Sequence, residues 1–247
     1  MRITRGATLF LLFVATACSS GNARDTAKPQ ATLVTGGAAT SAGPPPTASP
    51  SSSASLQGLT VKKSAVVQTS LGSAAYVTFT NDGDQAGGVE VQFTAYDTGG
   101  NVVGTGRQSV AVVRADEDFA LGASIDVPNG QKATRITTDL HFANTATVDP
   151  HPTSVYLTRG VRYNASDLGG KVQGEVVSHY QQTLTNVYAQ AVCFGTDGGI
   201  DGGGFTFIGR IIGGSTAGAS VNVFTIGTPT HCELYATNSN LSSATGG

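Results

Sequence analysis

Val89-Glu90-Val91-Gln92-Phe93-Thr94-Ala95 alternates apolar and polar residues over seven positions. Successive side chains of a β-strand point to opposite faces, so this stretch reads as a half-buried strand. Val89, Val91, Phe93 and Ala95 form its inner face. Tyr96-Asp97 leads into Thr98-Gly99-Gly100-Asn101, where Gly and Asn supply the backbone conformations of a tight turn.

The same texture extends outward. Val77 and Phe79 alternate with Thr78 and Thr80. Ile136, Leu140 and Phe142 face one way while Thr137, Asp139 and His141 face the other. Asn81-Asp82-Gly83 is another turn cluster, and no segment sustains an apolar period of 3.6 residues. Composition agrees: 33 glycines, no tryptophan and only 12% charged residues suit strands and turns better than helices.

The second half repeats the first. A shift of 98 residues lays Val89–Val102 without gaps on Val187–Ile200, and places Gly104 and Gly106 on Gly202 and Gly204. A repeat of this length is one small domain rather than a solenoid unit. The expected fold is therefore all-β: two tandem immunoglobulin-like β-sandwich domains, residues 57–147 and 153–240. Asp149-Pro150-His151-Pro152 would interrupt strand pairing between them, putting the boundary near Ala146–Thr153.

Phe93-Thr94-Ala95-Tyr96-Asp97 followed by Gly100-Asn101-Val102-Val103 resembles the FxLYD domain, a small β-sandwich of prokaryotic envelope proteins, with Ala95 in place of the family's Leu. The second copy, Ala191-Val192-Cys193-Phe194-Gly195, keeps only the aromatic of that motif. The resemblance implies the fold and an extracytoplasmic setting, and carries no catalytic role.

The N-terminus reads as an address. Met1-Arg2-Ile3-Thr4-Arg5 is a short positive region, and Leu9–Ala15 is an apolar run too short to span a hydrocarbon core. Ala15-Thr16-Ala17-Cys18 resembles the bacterial lipobox, although Ala15 stands where that motif usually has Leu. The resemblance implies cleavage of residues 1–17 and lipidation of Cys18, with two or three acyl chains anchoring the protein to the outer face of a membrane. Residues 18–56 form a tether: Gly43-Pro44-Pro45-Pro46 and Ser51-Ser52-Ser53 typify a segment with too little apolar surface to offset its ordering entropy. A flexible chain of that length spans roughly 35 Å.

Three cysteines occur, Cys18, Cys193 and Cys232. Committing Cys18 to lipid leaves an even pair, and in an oxidising envelope Cys193 and Cys232 are expected as a disulfide within the second domain. Cys193 falls on Ala95, an inner-face site, and Cys232 falls on Thr134 near the start of the last strand.

Chemistry is harder to find. His141 lies on a polar strand face, His151 between two prolines, and His231 beside Cys232; with His179 they read as exposed and structurally indifferent, with no second ligand at metal spacing. Gly213-Gly214-Ser215-Thr216-Ala217-Gly218 lacks nucleophile-elbow spacing, and Gly104-Thr105-Gly106 lacks the third glycine of a dinucleotide loop. Thr196–Gly202 and Asn81–Asp84 each bring two carboxylates near glycine, which could hold calcium but is also what hairpin turns require. Loss of Arg2 and Arg5 leaves 12 basic against 16 acidic residues, without the basic stripe of a nucleic-acid partner. The expectation is a non-catalytic lipoprotein without cofactor, displaying its modules for a protein or envelope-polymer partner or as a spacer. The alternative is an envelope enzyme or ligand carrier whose site the sequence does not disclose.

Overall fold

Twelve strands and no helix make up the regular structure of the computed structural model, which describes residues 58–145, 155–166 and 169–245. The first half contains β1 (Leu59–Thr69), β2 (Gly72–Asn81), β3 (Gly87–Tyr96), β4 (Val102–Val113), β5 (Glu117–Ile125) and β6 (Arg135–Thr145). The second contains β7 (Tyr156–Ser166), β8 (Gly169–Ser178), β9 (Thr183–Phe194), β10 (Ile200–Ile211), β11 (Thr216–Thr225) and β12 (His231–Thr245). Each second-half strand begins and ends within two residues of the first-half strand 98 positions earlier, and β10 matches β4 end for end.

The connectivity repeats as well. The first half pairs its strands as β1-β2-β5 and β4-β3-β6. The second places β7-β8-β11 and β10-β9-β12 in the same relative order. The chain crosses between sheets from second to third, fourth to fifth and fifth to sixth strand, which is Greek-key sandwich topology.

Two expectations need correction, the end of the second half and the counterpart of Cys232. The second half does not end at residue 240, because β12 continues to Thr245. Its two sheets are not separate: Gly202 and Gly203 of β10 pair with Thr225 and Phe224 of β11, which joins all six strands into one bent sheet. Glycine permits that corner, since a Cβ on Gly202 would lie 2.0 Å from the Phe224 carbonyl oxygen and one on Gly204 would lie 2.0 Å from that of Asn222. The 98-residue match also slips on the last strand: Ala95 faces Ile136 across β3 and β6, whereas Cys193 faces Cys232 across β9 and β12. Cys232 thus takes the place of Ile136 rather than Thr134, and a two-residue slip keeps every side chain on its own face. The expected boundary at 146–153 lies outside the described residues.

Each half has its own core. Phe79, Phe93, Phe119 and Leu121 dominate the first; Val172, Val176, Ile208, Ile211 and Val221 build the second. A third cluster joins the halves, with Val67, Tyr76 and Ala120 of the first packed on Val192, Phe194 and Ile200 of the second. The outer face of β1-β2-β5 therefore lies against the outer face of β10-β9-β12. Eight consecutive residues of β9, Val187–Phe194, are buried as a result. Val187, Ala189, Ala191 and Cys193 face their own core, while Val192 and Phe194 face the first half.

Tyr76 is the pin of this joint. Its hydroxyl donates to the Gly203 carbonyl at 2.8 Å. A Cβ on Gly122 would approach its ring to 2.4 Å and one on Gly203 to 2.8 Å, so the ring fits only between two glycines. Burial raises its phenol pKa well above the ordinary value. Buried Gln190 is satisfied as well, donating to the Gly204 carbonyl at 2.9 Å and accepting from the Tyr188 hydroxyl at 2.6 Å.

Candidate functional site

Cys18 lies outside the described residues. Cys193 and Cys232 are joined by a disulfide between directly opposed residues of adjacent antiparallel strands, with Cα atoms 4.0 Å apart. Cys193 is fully buried on the core face, and Cys232 packs against the same cluster.

The two Asp-Gly segments are turns. Asp197 accepts the Gly199 N–H at 2.8 Å, and the turn closes through Gly195 N–H to the Gly199 carbonyl at 3.0 Å. Ninety-eight residues earlier, Asp97 N–H donates to the Asn101 carbonyl at 3.0 Å, and the Asp97 carboxylate accepts the Asn101 N–H at 2.8 Å. In the Asn81–Asp84 turn, Asn81 is the organising residue, accepting Gly83 N–H and donating to the Gln85 carbonyl. Among the described residues no three His, Cys, Asp or Glu side chains gather as a ligand set.

The histidines are less indifferent than expected. His231 stacks on Phe194 with ring centroids 4.9 Å apart, and Lys63 lies over the same Phe194 ring at 5.0 Å. His141 stands 3.8 Å from Glu90 and 3.9 Å from Asp139 on the outer face of β3 and β6, where Glu90 also pairs with Arg107. His179 contributes its backbone N–H to the Val155 carbonyl. His151 is outside the described residues.

The chemistry that sequence reasoning missed gathers in a cleft of about 450 Å³ where the turn between β4 and β5 meets the start of β7 and the first part of β12. Arg114, at that turn, is only 6% exposed. Its Nη2 donates to the Tyr180 hydroxyl at 2.6 Å, its guanidinium lies 5.7 Å from the Tyr180 ring, and its Nε has no partner. The Glu117 carboxylate accepts the Arg114 backbone N–H at 2.7 Å. Burial pushes the Glu117 carboxyl above the usual range, against the opposing pull of that N–H and the Arg114 charge.

Asp118 behaves in the opposite way. Partial desolvation would raise it, but hydrogen bonds from Lys62 at 2.6 Å and Thr80 at 2.5 Å, with the Lys62 charge, hold it below the ordinary carboxylate value. Phe119, Tyr156, Leu157 and Tyr235 give the cleft its apolar and aromatic walls. Burial raises both phenols, Tyr156 beside Tyr180 and Tyr235 hydrogen-bonded to Glu233. The lining contains no Ser, Cys or Lys, and Thr158 spends its hydroxyl on the Leu234 carbonyl at 2.7 Å. One clue was present in the sequence: Arg114-Ala115-Asp116-Glu117-Asp118 carries four charges in five residues of a chain that is 12% charged.

Fold and cleft together define an all-β protein built from two β-sandwich halves. No protein-family model matches the chain, and no curated protein matches it. Among solved structures, red sea bream transglutaminase aligns at 12% identity over 77% of this chain, with a TM-score of 0.20. The chain spans 31% of that protein, and a similarity this low carries no argument about activity.

Proposed function

We propose that the chain is a lipid-anchored extracytoplasmic protein: residues 1–17 are removed, Cys18 carries the lipid, and residues 18–56 hold the sandwich halves away from the membrane. One observation carries most of this reading. With Cys193 and Cys232 bonded to each other, Cys18 is the single remaining cysteine, and it stands where a lipobox places the acylated residue. A disulfide also suits an oxidising compartment. The proposed role is display of non-catalytic FxLYD-like modules to a protein or envelope polymer, or use as a spacer. The cleft lined by Arg114 and Glu117 favours a second reading, a carrier that binds a small ligand.

Cys18→Ala tests the anchor. Wild-type protein should incorporate labelled fatty acid and enter the detergent phase, while the variant should lose both label and cleavage before residue 18. Unlabelled protein with a different N-terminus in the wild type would overturn the reading.

A further inference from the structure

We propose that the cleft between the β4–β5 turn, β7 and β12 binds a carboxylate carried on an apolar or aromatic stem, with Arg114 as its anion partner. This goes beyond the display reading and stands whether or not Cys18 carries lipid.

The argument starts from the arginine. A buried guanidinium normally meets an anion, because taking an unpaired charge out of water is costly. Arg114 is nine-tenths buried, yet the group hydrogen-bonded to its guanidinium is the neutral Tyr180 phenol, and Nε is unpartnered. Tyr180 is itself engaged by the Asn238 amide at 3.0 Å. Nε is sealed from solvent, so a carboxylate in the cleft would supply the counter-charge through the Nη groups, whose fork is shaped for it.

The Arg114 charge acts on Glu117, but among the described residues no carboxylate forms an ion pair with its guanidinium. Glu117 bonds the Arg114 backbone N–H, and Asp118 is tied to Lys62 and Thr80. Asp116 is exposed at the tip of the turn, and Glu233 is bonded by the Tyr235 hydroxyl. The raised Glu117 carboxyl takes up a proton more readily than an ordinary one, which lessens its repulsion of an incoming anion. Phe119, Tyr156 and Leu157 offer the stem an apolar wall, with Leu157 47% exposed at the mouth.

The repeat gives an independent argument. The corresponding turn of the second half is Ile212-Gly213-Gly214-Ser215, which folds the same way without any charge. Gly214 takes φ 66° there, and Asp116 takes φ 56° in the first half, where a side chain is disfavoured. The fold therefore does not need this charged turn.

The test titrates the full-length chain with N-acetylphenylalanine and with its amide, following NMR shifts of residues around Arg114 at pH 7. The acid should bind and the amide should bind at least tenfold more weakly. Arg114→Gln should abolish the preference. Leu157→Glu, an exposed change that spares the core, should weaken the acid several-fold even if Arg114→Gln fails to fold. Tighter binding of Ala-Ala-Phe than of N-acetylphenylalanine would assign the site to peptide C-termini, and equal binding to small organic acids. Equal affinity for acid and amide, no shift with either, or a Leu157→Glu variant that binds the acid normally would overturn the proposal.

Discussion

The two halves share strand order and spacing but spend their outer faces differently. In the first half the β1-β2-β5 sheet buries apolar residues on both sides, and its outer face meets the second half through Val67, Tyr76 and Ala120. Its other sheet turns Glu90, Gln92, Thr94 and Asp139 outward, with Glu90 paired to Arg107. The second half reverses the assignment. Its β10-β9-β12 sheet is the one that docks, while β7-β8-β11 presents Lys171, Gln173 and an Arg159–Glu175 pair at 2.7 Å. At the repeat positions Phe194 replaces Tyr96, Val192 replaces Thr94 and Phe205 replaces Arg107. One sandwich pattern thus places Val192 and Phe194 at the joint where the first half carries Thr94 and Tyr96 on a free face.

The cores differ too, and truncating them should produce the largest effects. Phe93→Ala should cost about 3–5 kcal/mol, because a fully buried aromatic leaves a cavity that β3 cannot close. Ile211→Ala in the aliphatic second core should cost about 2–5 kcal/mol. Thermal unfolding by calorimetry should show one transition for both variants if the joint couples the halves. A Phe93→Ala protein that retains a separate transition at the wild-type temperature would show that each half melts alone.

Only the second half is cross-linked. The disulfide closes a loop between residues 39 apart, so replacing Cys193 and Cys232 with Ala should cost about 3–4 kcal/mol by chain entropy. Denaturant unfolding checks this, and urea midpoints matching the wild type would mean that the β9–β12 pairing already holds the loop closed.

Tyr76→Phe sharpens the joint itself. It removes one buried hydrogen bond and leaves the Gly203 carbonyl unmatched, for an expected loss of about 1 kcal/mol. A neutral result would show that ring packing between Gly122 and Gly203, not the hydroxyl, pins the halves together.

The smallest effect should be that of Glu117→Gln, measured as stability against pH. The folded protein raises the Glu117 carboxyl, so its contribution is fully present below the unfolded-state pKa and is lost as pH rises through the folded one. The variant should be slightly more stable than wild type near pH 7 and lose that margin near pH 4. An unchanged difference across the range would remove Glu117 from the cleft's electrostatics.

Much of this was legible in the residues. The alternation of Val89–Ala95 marked the inner face of β3, and all four of its apolar residues are fully buried. The 98-residue repeat carried the strand spacing, the paired turns at Asp97 and Gly195, and the glycines of β4 and β10. The cleft was not legible, because Arg114 meets Tyr156 and Tyr235 only after residues more than 40 and 120 positions away arrive beside it.

What the sequence determined by itself was therefore periodic and local: strands, turns, their repetition, and the pairing of two cysteines by count. Period-2 alternation tells which residues share a face, since that follows from backbone geometry alone. The tertiary structure decided which faces meet. Tyr188-Ala189-Gln190-Ala191-Val192-Cys193-Phe194 breaks the alternation of its counterpart in β3 because the first half covers its second face. That choice rests on complementarity between surfaces far apart in the chain, which no local pattern encodes.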